Sequence, residues 1–115
     1  MRLESWQNAQ NQPAAIASTI CGKPKLYSEV PWFWSDQYEF NIQSVGAPQH
    51  TDTIVARGDP TTGRFSCFNL ANDALVGATG FNTPGDVRWA RKMIAANAQP
   101  DIRALADPTI KLKFP

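Results

Sequence analysis

Apolar residues recur at helical spacing in the first twenty positions: Leu3, Trp6, Ala9, Ile16, Ala17 and Ile20 fall near one face. The spacing predicts an amphipathic helix from Leu3 to about Ile20, with Gly22 as its stop. Pro13 lies inside it. A proline in a helix interior loses one backbone hydrogen bond and costs about 3 kcal/mol, so a kink or restart is expected there. The helix opens without a cap or preceding turn, which makes the chain read as a piece of something longer.

Residues 22–35 read as a connector carrying Pro24 and Pro31. From Glu39 the apolar period changes to two. Phe40, Ile42 and Val45 form one run, Ile54 and Val55 another, then Phe65, Cys67, Phe68 and Leu70, and finally Leu75, Val76 and Ala78. Gly46 with Pro48, the stretch from Gly58 to Gly63, and Ala71 to Asp73 supply turn chemistry between the runs. Four consecutive strands with short links predict an antiparallel meander.

A helix follows. Thr83 suits its N-cap, Pro84 its first position, and Asp86 its positive end. Val87, Ala90, Met93, Ile94 and Asn97 trace one side, with Arg88, Arg91 and Lys92 on the other. Pro100 and Asp101 open a shorter helix through Leu105, ended by Asp107 and Pro108. Helix, strands, then helices, without βαβ alternation, indicates an α+β fold: an antiparallel meander of four to five strands covered by helices, with an extra N-terminal helix.

The 115-residue length bounds this to one domain's worth of chain, and 43% hydrophobic with 18% charged residues is globular composition. A net charge of +1 leaves no electrostatic footprint for nucleic acid or an anionic membrane. No apolar run reaches the length of a membrane span and the N-terminus lacks a signal-peptide core, so a cytoplasmic location is expected. Cys21 and Cys67 form no CxxC pair and His50 is the one histidine, which argues against a zinc site; buried free thiols are the expectation.

No catalytic signature stands alone: GxGxxG, Walker, GxSxG and HExxH patterns are all missing. Asp36 and Glu39 resemble an acid/base pair, but solvated carboxylates at a strand start explain them more economically. Arg57-Gly58-Asp59 spells an adhesion tripeptide, yet reads better as a hairpin turn with glycine at positive φ. Arg88, Arg91 and Lys92 make a basic helix face, which is either solvated or attracts an acidic partner. The sharper signals are Trp6, in the first turn of a helix whose free N–H groups suit an electron-rich group, and Trp32, Phe33, Trp34 and Tyr38 crowded into seven positions.

Those residues carry a resemblance. "RLESWQNAQNQ", "PWFWSDQYEF", "RGD" followed by Phe, and "ALADP" stand in the order and spacing of one known domain. The chain resembles the C-terminal domain of bacterial NADH-dependent ferredoxin reductases, the family of putidaredoxin reductase and biphenyl-type dioxygenase reductases. The resemblance spans essentially all 115 residues, with "PWFWSDQ" its most specific part.

Family members combine an FAD domain, an NADH domain and this C-terminal domain, passing hydride from NADH to FAD and single electrons on to a [2Fe–2S] ferredoxin. The resemblance assigns residues 1–22 to the end of the FAD domain and residues 23–115 to the C-terminal α+β domain. It implies no catalytic residue and no metal ligand in the chain itself, nor tight FAD binding or activity by the chain alone. It places the helix start at Ser5 against the pyrimidine edge of the flavin, where the helix end stabilises negative charge by about 0.3–2 kcal/mol. Trp6 would pack beside the isoalloxazine and near the ferredoxin, with Gln7 and Asn8 contributing backbone N–H groups. Trp32, Phe33 and Trp34 would form a sealing loop, with Trp34 also touching flavin and with Ser35 and Asp36 tying the loop down. Trp6, Trp32, Arg88, Arg91 and Lys92 would serve ferredoxin docking.

Pro13 departs from the family, where an alanine-like helix former is expected. A freed helix would pack on another copy, giving a homodimer or domain swap. The alternative class is a standalone interaction or dimerisation module with the same fold. A third reading, single-stranded nucleic-acid binding by stacked aromatics, conflicts with the small net charge.

Overall fold

The Ser5 hydroxyl accepts the Asn8 N–H at 3.3 Å and caps the first helix, so the helix expected to start uncapped has an N-cap. In a computed structural model, which describes residues 2–114, this helix α1 (Trp6–Ile20) runs unbroken through Pro13. Residues 1 and 115, the outer ends of the two expected segments, lie outside the described residues. Gly22, at φ 76°, closes α1: its N–H reaches Thr19 O and that of Lys23 reaches Ser18 O.

Strand β1 (Trp32–Gln37) occupies residues expected to end the connector or form a sealing loop. Tyr38, at φ 55°, turns it directly into β2 (Phe40–Gly46). The remaining strands are β3 (Thr53–Asp59), β4 (Arg64–Ala71) and β5 (Ala74–Phe81). All neighbours are antiparallel, in the order β1-β2-β5-β4-β3. The meander therefore runs over β3 to β5, and the β1–β2 hairpin joins it through β5. Pairing β2 with β5 puts the Trp strand at one edge of the sheet and β3 at the other.

Helix α2 (Pro84–Ala95) crosses β5 and β2, and the short α3 (Ile102–Ala106) covers β3, on the same face of the sheet. Strand alternation explains the core. Ser66, Phe68 and Leu70 of β4 point under the helices, where Phe68 and Leu70 join Val55, Leu75 and Ala78 against Trp89, Ala90, Met93 and Leu105. Trp89, which the apolar stripe of α2 omitted, meets Phe68 edge-on at 5.9 Å. Among the described residues no helix covers the other sheet face, where Phe65 stacks on Phe81 at 4.4 Å.

Gly80 lets α2 lie this close to β5: a Cβ there would stand 2.5 Å from Thr83 Oγ1 and 2.7 Å from Val87 Cγ2. Thr83 is the N-cap, but its hydroxyl bonds Ser66 Oγ and the Phe65 carbonyl rather than the helix. Asn97 falls past the end of α2, at φ 48°, and closes the helix where glycine is usual.

The expected turn at Arg57-Gly58-Asp59 is the end of β3; the reversal itself is Pro60–Thr62 with Gly63. Gly58 has the anticipated positive φ, 87°. Arg57 is buried, so the tripeptide is not displayed for adhesion. Its guanidinium donates to the carbonyls of Ala104, Leu105, Asp107 and Ile110 and pairs with Asp86. One side chain thus joins the exit of α3 and the start of α2 to the edge strand. Cys21 is exposed rather than buried, Cys67 half-buried, and both are free thiols.

Candidate functional site

Alternation along β1 puts Trp32 and Trp34 on the helix-bearing face of the sheet and Phe33 on the open one. The two indoles stack at 4.8 Å with their planes 24° apart. The first turn of α1 brings Trp6 to them, its ring 5.8 Å from Trp34 and nearly perpendicular. Both separations lie in the attractive range for aromatic pairs. The cluster is not a closed core, because Trp6 keeps 61% and Trp34 37% of its surface exposed. Trp32 is held by its indole N–H, which donates to Gln43 Oε1 at 3.3 Å.

The helix end beside this wall is partly available. Ser5 takes the Asn8 N–H, while the N–H groups of Trp6 and Gln7 meet no acceptor among the described residues. Asn8 turns its amide back onto Leu3 O and Gln12 Oε1. Gln7 faces inward and is 5% exposed, its carboxamide bonding Trp32 N–H, Val30 O and Glu29. Of the four helix-start residues, Trp6 alone offers both a free N–H and an exposed side chain.

Helix α1 sits on this chain by the face opposite to its apolar stripe. Gln7 and Ala15 are its buried residues. Ile16 is 53% and Ile20 80% exposed, on the same outward side as Trp6. An apolar helical stripe aimed at solvent belongs against another surface.

The basic residues divide. Arg88 and Arg91 line a groove of about 220 Å³ with Trp32, Gln43, Pro84 and Val87. Arg91 also pairs with Glu29 at 3.3 Å, so part of its charge is satisfied within the chain. Lys92 is exposed and does not line the groove. Ser35 and Asp36 make side-chain bonds, from Gln37 and Asn41 respectively, instead of the local backbone ties expected of a loop. Among the described residues no group of three His, Cys, Asp or Glu side chains could hold a metal ion. Nor is any described helix long and apolar enough to cross a membrane.

The structure thus gathers Ser5, Trp6, Trp32, Trp34, Arg88 and Arg91 along one rim. It turns Gln7 inward and leaves Lys92 apart. Gln43, which orients Trp32, and Glu29, which links Gln7 to Arg91, were missed because cross-strand and cross-helix partners leave no local signal.

Residues 32–114 match the family described as Reductase C-terminal. Over 114 residues the chain is 47% identical to the anthranilate 1,2-dioxygenase system ferredoxin–NAD(+) reductase component of Burkholderia cepacia, covering 98% of this chain and 28% of that protein. It is similar to the reductase in the crystal structure of the covalent putidaredoxin reductase–putidaredoxin complex, with 33% identity and a TM-score of 0.87, over 95% of this chain and 26% of that one. The ferredoxin reductase for the CYP199A2 system from Rhodopseudomonas palustris superposes with a TM-score of 0.88 at 33% identity, over 96% of this chain and 28% of that one. The chain spans little more than a quarter of the length of these relatives.

Proposed function

The chain belongs to the Reductase C-terminal family, and on that premise we propose that it works as the C-terminal part of a cytoplasmic, FAD-dependent NAD(P)H:ferredoxin reductase serving an oxygenase. Residues 1–22 would complete the flavin domain and residues 23–115 form the C-terminal domain. FAD, when bound in the complete enzyme, supplies the exchange between hydride and single-electron chemistry. The chain's own residues shape its surroundings. Trp6 and Trp34 present an apolar, water-excluding wall. The free N–H groups of Trp6 and Gln7, at the positive end of α1, favour negative charge beside that wall. Trp32 with Arg88 and Arg91 offers an aromatic and basic rim to an acidic [2Fe–2S] ferredoxin.

The observation that carries this reading is the orientation of α1: Ile16 and Ile20 face away from this chain, and Trp6, although it touches Trp34, stays 61% exposed. That stripe fits an adjoining flavin domain. When the 115 residues are isolated, a second copy would cover the same stripe, giving a dimer or helix swap that a strictly monomeric light-scattering mass at high concentration would exclude.

The test is to join the chain to flavin- and nicotinamide-binding domains and follow NADH-dependent ferredoxin reduction. Trp6→Ala is expected to shift the flavin absorbance and slow electron transfer. If neither changes, Trp6 does not wall the flavin.

A further inference from the structure

The open edge of β1 is blocked at one point by a side chain from α1. Gly46 N–H donates to Pro31 O, so residues 31, 33 and 35 bond β2 while Val30, Trp32, Trp34 and Asp36 direct their backbone groups outward. An open strand edge is normally paired, covered or charged. Here the Gln7 carboxamide covers it. Gln7 Oε1 accepts Trp32 N–H at 2.9 Å, and Nε2 points at Val30 O and Glu29 Oε2 at 3.4 and 3.3 Å. It occupies the place of one residue in a neighbouring parallel strand. The 2.9 Å bond is the strong one, since the other two are long for N–H···O geometry.

We propose that Gln7 is the positioning residue for Trp6. Three observations bear on it. First, Gln7 and Ala15 are the buried residues of α1, so little apolar area holds the helix in place. Second, Gln7 follows Trp6 directly, and its bond to Trp32 N–H joins the helix to the strand that carries Trp34. The Gln7–Trp32 bond and the Trp6–Trp34 contact therefore span the same two elements, with one register for both. Third, Glu29 accepts from both Gln7 and Arg91, tying the clamp to α2. An isolated 15-residue helix is marginal in water, so α1 released from this clamp should unwind. Only the functional consequence, misplacement of Trp6 beside a flavin, rests on the reading above.

The test uses the 115-residue chain without flavin. Gln7→Asn shortens the side chain by one methylene and pulls the amide off the strand edge; Gln7→Leu keeps the bulk and removes the bonds. Native-state hydrogen exchange of the α1 amides reads the docked-to-undocked ratio, and indole–indole nuclear Overhauser contacts read the Trp6–Trp34 pair. Both variants are expected to lower α1 protection roughly 5- to 30-fold and to weaken the Trp6–Trp34 contacts. Protection at Phe68, Leu70 and Leu75 should hold. Unchanged α1 protection in Gln7→Asn, or an equal loss across α1 and the sheet, overturns the proposal, and Gln7→Asn decides if Gln7→Leu does not fold. Because no flavin is present, this outcome stands apart from whether Trp6 meets one.

Discussion

Arg57 Nε lies 3.4 Å from Asp86 Oδ2, and the pair is enclosed where α2 begins and α3 ends. Ser66 Oγ donates to the same carboxylate oxygen at 2.8 Å. The rest of the guanidinium is taken up by carbonyls at the exit of α3. Removing one member of such a pair leaves the other charge and several acceptors without partners. Arg57→Met is expected to cost about 3–5 kcal/mol, read as a lower urea midpoint, with the segment after α3 becoming protease-sensitive first.

Gly80 sits under α2 with no room for a methyl group. Since Thr83 anchors the start of α2 to β4, the helix cannot slide away freely. Gly80→Ala should therefore overpack the interface and destabilise by about 1–3 kcal/mol. Equilibrium urea unfolding measures this, and an unchanged midpoint would show that α2 moves more easily than its anchors imply.

Ile16 and Ile20 separate the stability of this chain from its place in a larger enzyme. Both are exposed on α1, so at concentrations where the isolated chain is monomeric Ile16→Glu and Ile20→Glu should change its stability by no more than about 0.5 kcal/mol. In the complete reductase the same changes put a charge into the proposed flavin-domain contact. A reduced flavin content per polypeptide is expected there, measured by absorbance after gel filtration.

Acid should loosen the segment that Arg57 holds. The Thr109 hydroxyl and then its N–H, with a smaller contribution from the Arg57 charge, hold the Asp107 carboxyl below its ordinary value. A folded-state value below the unfolded one means that the unfolded chain takes up the proton first. The stabilisation is therefore present above the ordinary carboxylate range and is lost as pH falls through it toward the depressed value. Asp59, bonded by Thr61, and Asp52, bonded by Asn72 N–H, shift in the same direction. Urea midpoints across an acid series should fall as pH drops, and Asp107→Asn should flatten that slope.

Local chemistry made much of this molecule legible in its sequence. Apolar spacing and Gly22 marked α1, Pro84 and Asp86 marked the start of α2, and apolar runs bounded by turn residues marked β2 to β5, with clear alternation of burial in β4. Three large aromatics in a row hid the alternation of β1, because an edge strand with both faces apolar shows no period of two. The start of α1 read as uncapped because its apolar spacing begins at Leu3, ahead of the capping residue Ser5.

The sequence by itself determined the α+β class and the family, and it singled out Trp6, Trp32 and Trp34 as candidates, since these rest on residue types and short-range spacing. Only the tertiary structure decided which face of each element is used. An amphipathic pattern reports that one side of a helix is apolar, not which surface it meets. In α1 the stripe faces outward, and a polar residue, Gln7, does the docking. Likewise Arg57 reads as a turn residue until β3 is laid beside α3, when four carbonyls and Asp86 converge on it. Such contacts join residues 25 to 53 positions apart, and the chain's packing brings them together where no local rule applies.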